Sequence, residues 1–272
     1  MQPGHFVLQP YFDSFVNVGH YNSGWDAKSV PNFFNINLRT RFKAGATPWL
    51  DVQTMPEVGY KKTQGKSSFG FADLPVNLNI QLLRAKLENP WPALRLIVRA
   101  TIPWGKYQRL NPDKLGTDAF GTGSWYPELG IVSSKLWRVH GAHYFEARLF
   151  SGYRVATPAT IKGLSVYGGD STTRGTAYPG NIFFADIGIE YNLSLNWAFA
   201  CDIFYRHHDR SRFSGRTTKP VGHPSSEQFS LAPALEYNFS EDLGLIGGIW
   251  FSAAGRNAPQ FINGILSLNA YF

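Results

Sequence analysis

Alternating apolar and polar side chains constrain the fold of this chain more than any other feature. In FNINLRTRFKAG, residues 34–45, apolar side chains occupy most alternate positions, and Asn, Arg and Lys occupy the positions between them. A period of two is typical of a β-strand, because successive side chains leave opposite faces of the pleat. About twelve segments of this kind occur, with no amphipathic helix between them. The sequence therefore predicts an all-β protein.

The connections between the predicted strands alternate in length. The predicted strands are 6–15, 34–45, 50–60, 74–82, 94–102, 126–137, 143–155, 182–193, 197–206, 228–239, 245–252 and 261–272, and the faces of 126–137 are ambiguous. Short connections are predicted at 45–48, 86–92, 138–141, 192–196 and 240–243, and long polar ones at 17–32, 61–70, 103–125, 156–180 and 207–226. Only 254–260 departs from this alternation. Short periplasmic turns with long extracellular loops are typical of an outer-membrane barrel, and an even strand count places both termini at the short-turn end.

A soluble sandwich or lipocalin-like barrel is the alternative. It is disfavoured because twelve strands enclose a space too wide for their own apolar side chains to fill. Charged residues make up only 17% of the chain, against roughly 25% in soluble domains. Aromatic residues also cluster at strand ends, as in the interfacial girdle of a membrane barrel: Trp49, Trp91, Trp137, Tyr144, Tyr191, Trp197, Tyr237 and Phe239. We therefore expect one domain, residues 1–272, that forms a transmembrane antiparallel up-and-down β-barrel in a bacterial outer membrane.

The predicted inner face of this barrel carries both signs of charge. The predicted pore-lining residues are Arg39, Arg41, Lys43, Asp51, Glu57, Arg95, Arg99, Glu146, Arg148, Asp186, Glu190, Asp202, Arg206 and Glu236, and Arg154 lies on the same face. These charges either form a lattice of ion pairs that rigidifies the wall, or line a solute path whose field selects polar or anionic molecules. The two interpretations are compatible.

The ends of the chain and its net charge bear on location and partners. The net charge is +7, but the cations are dispersed, so nucleic acid is not an expected partner. The start, MQPGHFVLQP, has no signal-peptide pattern, and we expect a mature chain with an added Met1. The final strand, LSLNAYF, resembles the assembly signal of outer-membrane proteins: Phe272 matches it, and Ala270 replaces a common aromatic residue. The expected partners are outer-membrane lipid and lipopolysaccharide, a small solute and the barrel-assembly machinery.

Candidate catalytic and metal sites are weak, and no cofactor or metal is expected. YRHHDR, residues 205–210, could form a metal cluster with His223, but no ligand spacing is recognisable. A lipid-hydrolase barrel would need a Ser beside a His. His143 is a candidate base with Ser133 or Ser134 on the preceding strand, but it lies at the presumed periplasmic end, and no G-x-S-x-G elbow occurs. GGDSTTRG (168–175) and SGRTTK (214–219) lack the strand and helix that flank a phosphate loop.

Three stretches resemble a known family. FGFADLPVNLNIQLL (69–83), GTGSWYPELGIVSSK (121–135) and residues 231–259 resemble the outer-membrane proteins of the MetA-pathway phenol-degradation family. The matching residues are Asp73, Leu74 and Pro75 at a strand start, Gly121, Gly123, Pro127 and Glu128 in a G-x-G-x-x-x-P-E/D run, and Ser134 after that run. The resemblance implies a porin-like barrel that passes small, often hydrophobic compounds, and it supplies no catalytic residues.

The sequence thus predicts an outer-membrane channel or transporter that passes or binds small solutes through a polar, charge-lined lumen, and not an enzyme. One alternative is a barrel lipid hydrolase, either phospholipase-like or deacylase-like. The other is a structural or adhesive barrel whose loops, such as 103–125 and 156–180, contact a partner or plug the lumen.

Overall fold

The computed structural model describes residues 3–85, 87–88 and 90–272. Its main sheet closes on itself as twelve antiparallel barrel strands, two of which are interrupted. The first seven barrel strands are β1 (Phe6–Tyr21), β2 (Ala27–Thr47), β3 with β4 (Leu50–Thr54, Glu57–Thr63), β5 with β6 (Lys66–Phe71, Leu74–Leu83), β7 (Ala93–Ile102), β8 (Tyr126–His140) and β9 (His143–Arg154). A second, smaller sheet consists of β10 (Ala159–Lys162), β11 (Arg174–Tyr178) and β14 (Arg212–Arg216). The last five barrel strands are β12 (Ile182–Asn192), β13 (Trp197–His208), β15 (Ser226–Asn238), β16 (Leu243–Arg256) and β17 (Ala258–Tyr271). The predicted twelve-stranded barrel is confirmed.

Closure joins the first barrel strand to the last. β1 pairs with β2 on one side and with β17 on the other. At the periplasmic rim the Phe6 N–H donates to the Phe272 carbonyl at 3.0 Å, and the Phe272 N–H donates to the Phe6 carbonyl at 2.9 Å. The two rings stack with centroids 4.7 Å apart. The barrel therefore has no open edge at its seam, as a structure in hydrocarbon requires.

The two interruptions face each other. β3 and β4 keep one register against β2, with Phe42 opposite Thr54 and Arg39 opposite Glu57. The break between them contains Pro56, which has no N–H to donate to a ladder. Between β5 and β6 the pairing shifts by one residue at Ala72 and Asp73. The interruption frees Asp73 to bind other parts of the chain.

A belt of apolar side chains covers the outside of the barrel. Leu38, Ile187 and Ile262 are about half exposed, at 52%, 49% and 51%. In β8, whose faces the sequence left ambiguous, Leu129 and Ile131 point outward. The lone cysteine, Cys201, lies on this outer face between Phe199 and Ile203. A closed barrel with such a belt belongs in an outer membrane.

Among the described residues, no helix is long and apolar enough to cross a membrane.

Three of the predicted connections differ from the structure. β1 and β2 extend through most of 17–32 and leave a turn at 22–26, so the predicted long loop is wrong. Segment 61–70 is also not a loop, since β4 and β5 continue into a hairpin whose turn residues, Gln64 and Gly65, have φ of 44° and 77°. Positive φ at both positions is the type I′ conformation, one of the two that two-residue hairpin turns favour. Segment 254–260 is strand except at Asn257. The predicted turn at 86–92 includes residues 86 and 89, which, like Met1, lie outside the described residues.

The three remaining long connections fold together at the extracellular end. Residues 156–180 and 207–226, predicted as loops, contribute the short strands β10, β11 and β14, which form the second sheet. One face of this sheet buries Ala159, Ile161 and Ala177 around Tyr167. Tyr107 of the 103–125 loop packs against the same cluster and donates its hydroxyl to the Thr160 carbonyl at 3.0 Å. The loops therefore have a small hydrophobic core of their own.

Candidate functional site

The predicted pore-lining charges lie on the inner face of the barrel. Strand pairing places them at positions that alternate with the exposed apolar belt. This applies to all fourteen residues: Arg39, Arg41, Lys43, Asp51, Glu57, Arg95, Arg99, Glu146, Arg148, Asp186, Glu190, Asp202, Arg206 and Glu236. They do not form one uniform lattice. Cations dominate the wall from β2 to β7, and carboxylates dominate the wall from β9 to β15.

The cations of β2 pair mainly with β1, a pairing that sequence reasoning did not identify. Arg39 Nε lies 2.7 Å from Asp13 Oδ2, and Arg41 donates to Gln9 Oε1 at 3.0 Å. Both guanidinium groups lie over the ring of Tyr11, at 4.9 and 5.5 Å from its centroid. Stacking on an aromatic face stabilises an arginine without neutralising it. Arg41, which has no carboxylate among the ion pairs of the described residues, therefore keeps its field in the lumen.

Lys43, in contrast, pairs with the next strand, β3. Its ammonium lies 3.3 Å from Asp51 Oδ2, and Arg95 approaches the same carboxylate at 3.9 Å. Asp51 is buried, and Asn79 donates to its other oxygen at 2.5 Å. One carboxylate here is shared by two cations, so this wall retains net positive charge.

Glu128 is a lumen residue that was not among the predicted charges. Its carboxylate is fully buried and lies 2.6 Å from Arg154 Nη2 and 3.2 Å from Arg99 Nη1. The alternation signal could not assign it, because the faces of β8 were ambiguous. The resemblance to the phenol-degradation family did single out Glu128, because it occupies the Glu position of the matching run.

The opposite wall is acidic. Glu146 and Glu190 are directly opposite each other on β9 and β12, and Glu236 follows on β15. None of the ion pairs among the described residues includes these three carboxylates. Arg148, two residues after Glu146 on β9, instead lies 2.7 Å from Asp202 and 3.6 Å from Asp186. Like charges opposite each other in a sheet are destabilising, so this cluster favours a cation in front of it.

The two walls face each other across one cavity of about 350 Å³. β2 and β12 stand six places apart in the ring of twelve, and are therefore diametrically opposed. Tyr11 and Arg41 line one side of the cavity, and Glu146, Glu190, Asp202 and Glu236 line the other. Gly188, Ala200, Ala232, Ala234 and Gly248 also line the cavity, together with Ile246 and Ile265. The small residues leave the space open, and the charges set a field across it.

Aromatic side chains also enter the lumen, which the sequence did not predict. Phe15, Phe261 and Trp250 follow one another with ring centroids 4.9 Å apart, and Phe204 lies 5.7 Å beyond Trp250. The Trp250 indole N–H donates to Ser230 Oγ at 2.9 Å. These four residues form an aromatic strip on the inner wall of β1, β17, β16 and β13. The lumen therefore offers apolar as well as charged surface.

The 103–125 loop folds into the extracellular mouth. Phe120 lies against the inner side of the β4–β5 hairpin, where Gly59 and Gly70 are paired. A Cβ on Gly70 would come within 2.4 Å of the Phe120 ring, so only glycine leaves space for it. Lys61 lies 4.6 Å above the same ring and donates to the Ala119 carbonyl. The loop narrows the mouth on this side.

Asp73 holds this loop at the interrupted strand. It accepts the Gly105 N–H at 2.9 Å, the Thr122 N–H at 2.8 Å and the Thr122 hydroxyl at 2.7 Å. Gly121 packs so tightly against Gly105 that a Cβ there would lie 2.3 Å from a carbonyl oxygen. Gly123 has φ of 71°. Asp73, Gly121 and Gly123 belong to the matching motifs, so the resemblance rests partly on the residues that anchor this loop.

An ion pair inside the loop adds to this anchor. Lys106 Nζ lies 2.6 Å from Asp118 Oδ2, and the Asn111 N–H donates to the same oxygen at 3.0 Å. Burial raises the pKa of the Asp118 carboxyl, but the two hydrogen bonds and the Lys106 charge outweigh burial. The net result is a pKa below the ordinary value, and the carboxylate is ionised at neutral pH.

The alternative catalytic and metal sites are not assembled. His143 Nδ1 lies 3.0 Å from the Asn192 carbonyl, whereas Ser134 is paired with Arg148, five residues further along β9. His208 and His223 contact the backbone carbonyls of Gly180 and Val166. Within the described part of the chain, no group of three or more His, Cys, Asp or Glu could hold a metal ion.

The two glycine- and threonine-rich segments contact each other. Thr173 Oγ1 lies 3.0 Å from Thr217 Oγ1, and the Gly169 N–H donates to the Pro220 carbonyl at 3.0 Å. Asp170 accepts hydrogen bonds from Thr172 and Thr218, which lower the pKa of its carboxyl. Segments 168–175 and 214–219 are thus part of the second sheet and its turns.

Comparison with known proteins gives a match in structure only. No family model and no curated protein matches the sequence. The structure is similar to the COG4313 outer membrane channel from Pseudomonas putida F1, with a TM-score of 0.77 and 13% identity, over 100% of this chain and 97% of that one. The NanC porin gives 0.49 at 10% identity, over 97% and 98% of the two chains. The CymD monoaromatic hydrocarbon channel gives 0.42 at 12% identity, over 100% and 89%. The first likeness supports the outer-membrane barrel fold, and the resemblance to the phenol-degradation family stays a prediction.

Proposed function

We propose that this protein is an outer-membrane channel that admits small solutes through its charged lumen. The observation that carries the proposal is the opposition of Arg41 and Tyr11 to Glu146, Glu190 and Glu236 across one cavity. The similar fold of a solved outer membrane channel is consistent with it.

The size and chemistry of the cavity define the solutes that fit. A volume of about 350 Å³ is near the lower end for small-molecule sites, which span about 300–1,000 Å³. Charges of opposite sign on facing walls favour a solute with separated positive and negative groups. The glycine, alanine and isoleucine positions of the lining favour a solute with a short apolar section.

Planar-bilayer recording tests the proposal. Replacing Glu146, Glu190 and Glu236 by Gln should shift ion selectivity toward anions, because it removes negative charge from one wall. Replacing Arg39, Arg41 and Lys43 by Ala should shift it toward cations. The matched control is Glu241→Gln with Asp242→Asn, which removes two carboxylates from a periplasmic turn. If neither triple variant changes the ion selectivity, the proposal is contradicted.

A second candidate, a structural barrel plugged by its loops, is favoured by one observation, the position of Phe120 inside the mouth. Conductance separates the two functions. A channel conducts with the 103–125 loop intact, whereas a plugged barrel conducts only after Asp73→Ala releases the loop.

A further inference from the structure

The outer face of the second sheet carries a row of three cations. Lys162 on β10 is directly opposite Arg174 on β11, and Arg174 is directly opposite Arg216 on β14. Directly opposed residues of an antiparallel sheet point to the same side. All three side chains are exposed, and none takes part in an ion pair among the described residues. Adjacent strands are about 4.8 Å apart, so the row presents three positive charges within about 10 Å.

A small cavity extends this row beyond the edge of the sheet. Its volume is about 370 Å³, and Arg109, Lys162 and Arg174 line it together with the backbone at Gly163. Arg109 has φ of 52°, and its Cα would lie 3.7 Å from a Cβ on Gly163. The close backbone approach brings a fourth cation to the same place. Three cations around one concavity favour an anionic group.

A row of hydroxyl groups runs beside the cations. Thr160, Thr176 and Ser214 are mutually opposed on the same three strands, two residues from the cationic row and therefore on the same face. Guanidinium and ammonium groups bind phosphate oxygens, and hydroxyl groups exchange hydrogen bonds with sugar hydroxyls. The two rows together match a phosphorylated saccharide better than a simple ion.

The position of the sheet indicates which phosphorylated saccharide it meets. β10, β11 and β14 lie in the connections at the end of the barrel opposite to both chain ends, the end that faces outward in an outer-membrane barrel. The outer leaflet of such a membrane displays phosphorylated sugar headgroups. We propose that the cavity and the cationic row bind the phosphorylated headgroup of lipopolysaccharide. This inference does not depend on the proposed channel function.

Binding of purified lipopolysaccharide to the detergent-solubilised protein tests the proposal. The triple variant Lys162→Gln, Arg174→Gln, Arg216→Gln should weaken binding by about tenfold or more, because it removes charge-assisted contacts to phosphate. The matched control, Lys28→Gln, Lys62→Gln, Lys66→Gln, removes three exposed cations from two other extracellular hairpins and should leave binding nearly unchanged. Arg174→Gln alone, at the centre of the row, should account for the largest single loss. It also provides a milder variant if the triple variant fails to show the heat-modifiable migration of a folded barrel.

Three outcomes would overturn the proposal. Equal weakening by the two triple variants would mean that only the total charge matters. Undiminished binding of dephosphorylated lipopolysaccharide would mean that phosphate is not recognised. Binding of glucose 1-phosphate as tight as that of lipopolysaccharide would assign the site to a free solute.

Discussion

Glu128 and Arg154 form an enclosed ion pair on the inner face of the barrel, with 2.6 Å between Oε2 and Nη2 and no solvent exposure of the carboxylate. Arg99 completes the cluster from the neighbouring strand. The cluster ties β7, β8 and β9 together at a level where the 103–125 loop begins and ends.

Replacing Glu128 should therefore destabilise the barrel. Glu128→Gln leaves two guanidinium groups partly buried beside a neutral amide, and we expect the free energy of unfolding to fall by about 3 kcal/mol. Urea unfolding followed by gel migration measures the change. Glu241→Gln, in an exposed turn, should change it by less than about 0.5 kcal/mol. Equal stability of the two variants would show that the cluster is structurally neutral.

Removing the Phe120 ring should widen the mouth. Phe120→Ala empties the space in front of Gly59 and Gly70, and we expect single-channel conductance to rise roughly twofold if the mouth limits ion flow. Phe69→Ala is the matched control, since this ring lies on the outer side of the same hairpin and is 65% exposed. A rise with Phe69→Ala, or none with Phe120→Ala, would place the limiting constriction elsewhere.

The pKa of Asp118 predicts how the loop responds to pH. Because the folded-state pKa lies below the unfolded-state value, the ionised carboxylate contributes stability at neutral pH. This contribution is lost as the pH falls through the folded-state pKa, which lies below the ordinary value of 3.8. Limited proteolysis of the 103–125 loop should therefore stay constant from pH 7 to about pH 5 and increase only in stronger acid.

Variants of the two aspartates in this loop provide the comparison. Asp118→Asn should increase proteolysis at neutral pH and reduce its dependence on acid. Asp113→Asn, an exposed position of the same loop, should keep the wild-type profile. An opening that occurs between pH 5 and 7 in the wild type would contradict the role of Asp118.

Variants of the two seam residues, Phe6 and Phe272, distinguish an effect on stability from an effect on assembly. Phe272→Ala and Phe6→Ala remove the same ring contact, and each should lower the free energy of unfolding by about 1 kcal/mol. If Phe272 is also read as an assembly signal, only Phe272→Ala should reduce the amount of folded barrel in cell membranes, and Phe272→Tyr should restore it. Equal losses for both alanine variants would reduce Phe272 to a packing residue.

The alternation of apolar and polar residues was sufficient to predict the strands of the barrel. The predicted segments 74–82, 94–102 and 182–193 correspond closely to β6, β7 and β12. The pattern carries this information because lipid tolerates only apolar side chains on the outer face. Strands also extend beyond the membrane, as in 17–32 and 61–70. There both faces are solvated, so apolar and polar residues no longer alternate.

The lumen was harder to predict because water and protein together accept either type of side chain. Phe15, Phe204, Trp250 and Phe261 lie among polar neighbours on the inner face, so alternation alone does not distinguish them from errors in the pattern. Partners such as Asp13 for Arg39 depend on the register of the β1–β2 hairpin, and periodicity does not encode this register. The second sheet was missed because its strands have four or five residues.

The position of Cys201 has a practical consequence. A single thiol on the outer wall, with Phe199 and Ile203 on either side, would be reached by a membrane-soluble maleimide and shielded from a charged one. Labelling kinetics with the two reagents would then report insertion of β13 during biogenesis without any engineered residue. Labelling of the Cys201 thiol therefore measures insertion of the unmodified protein into the bilayer.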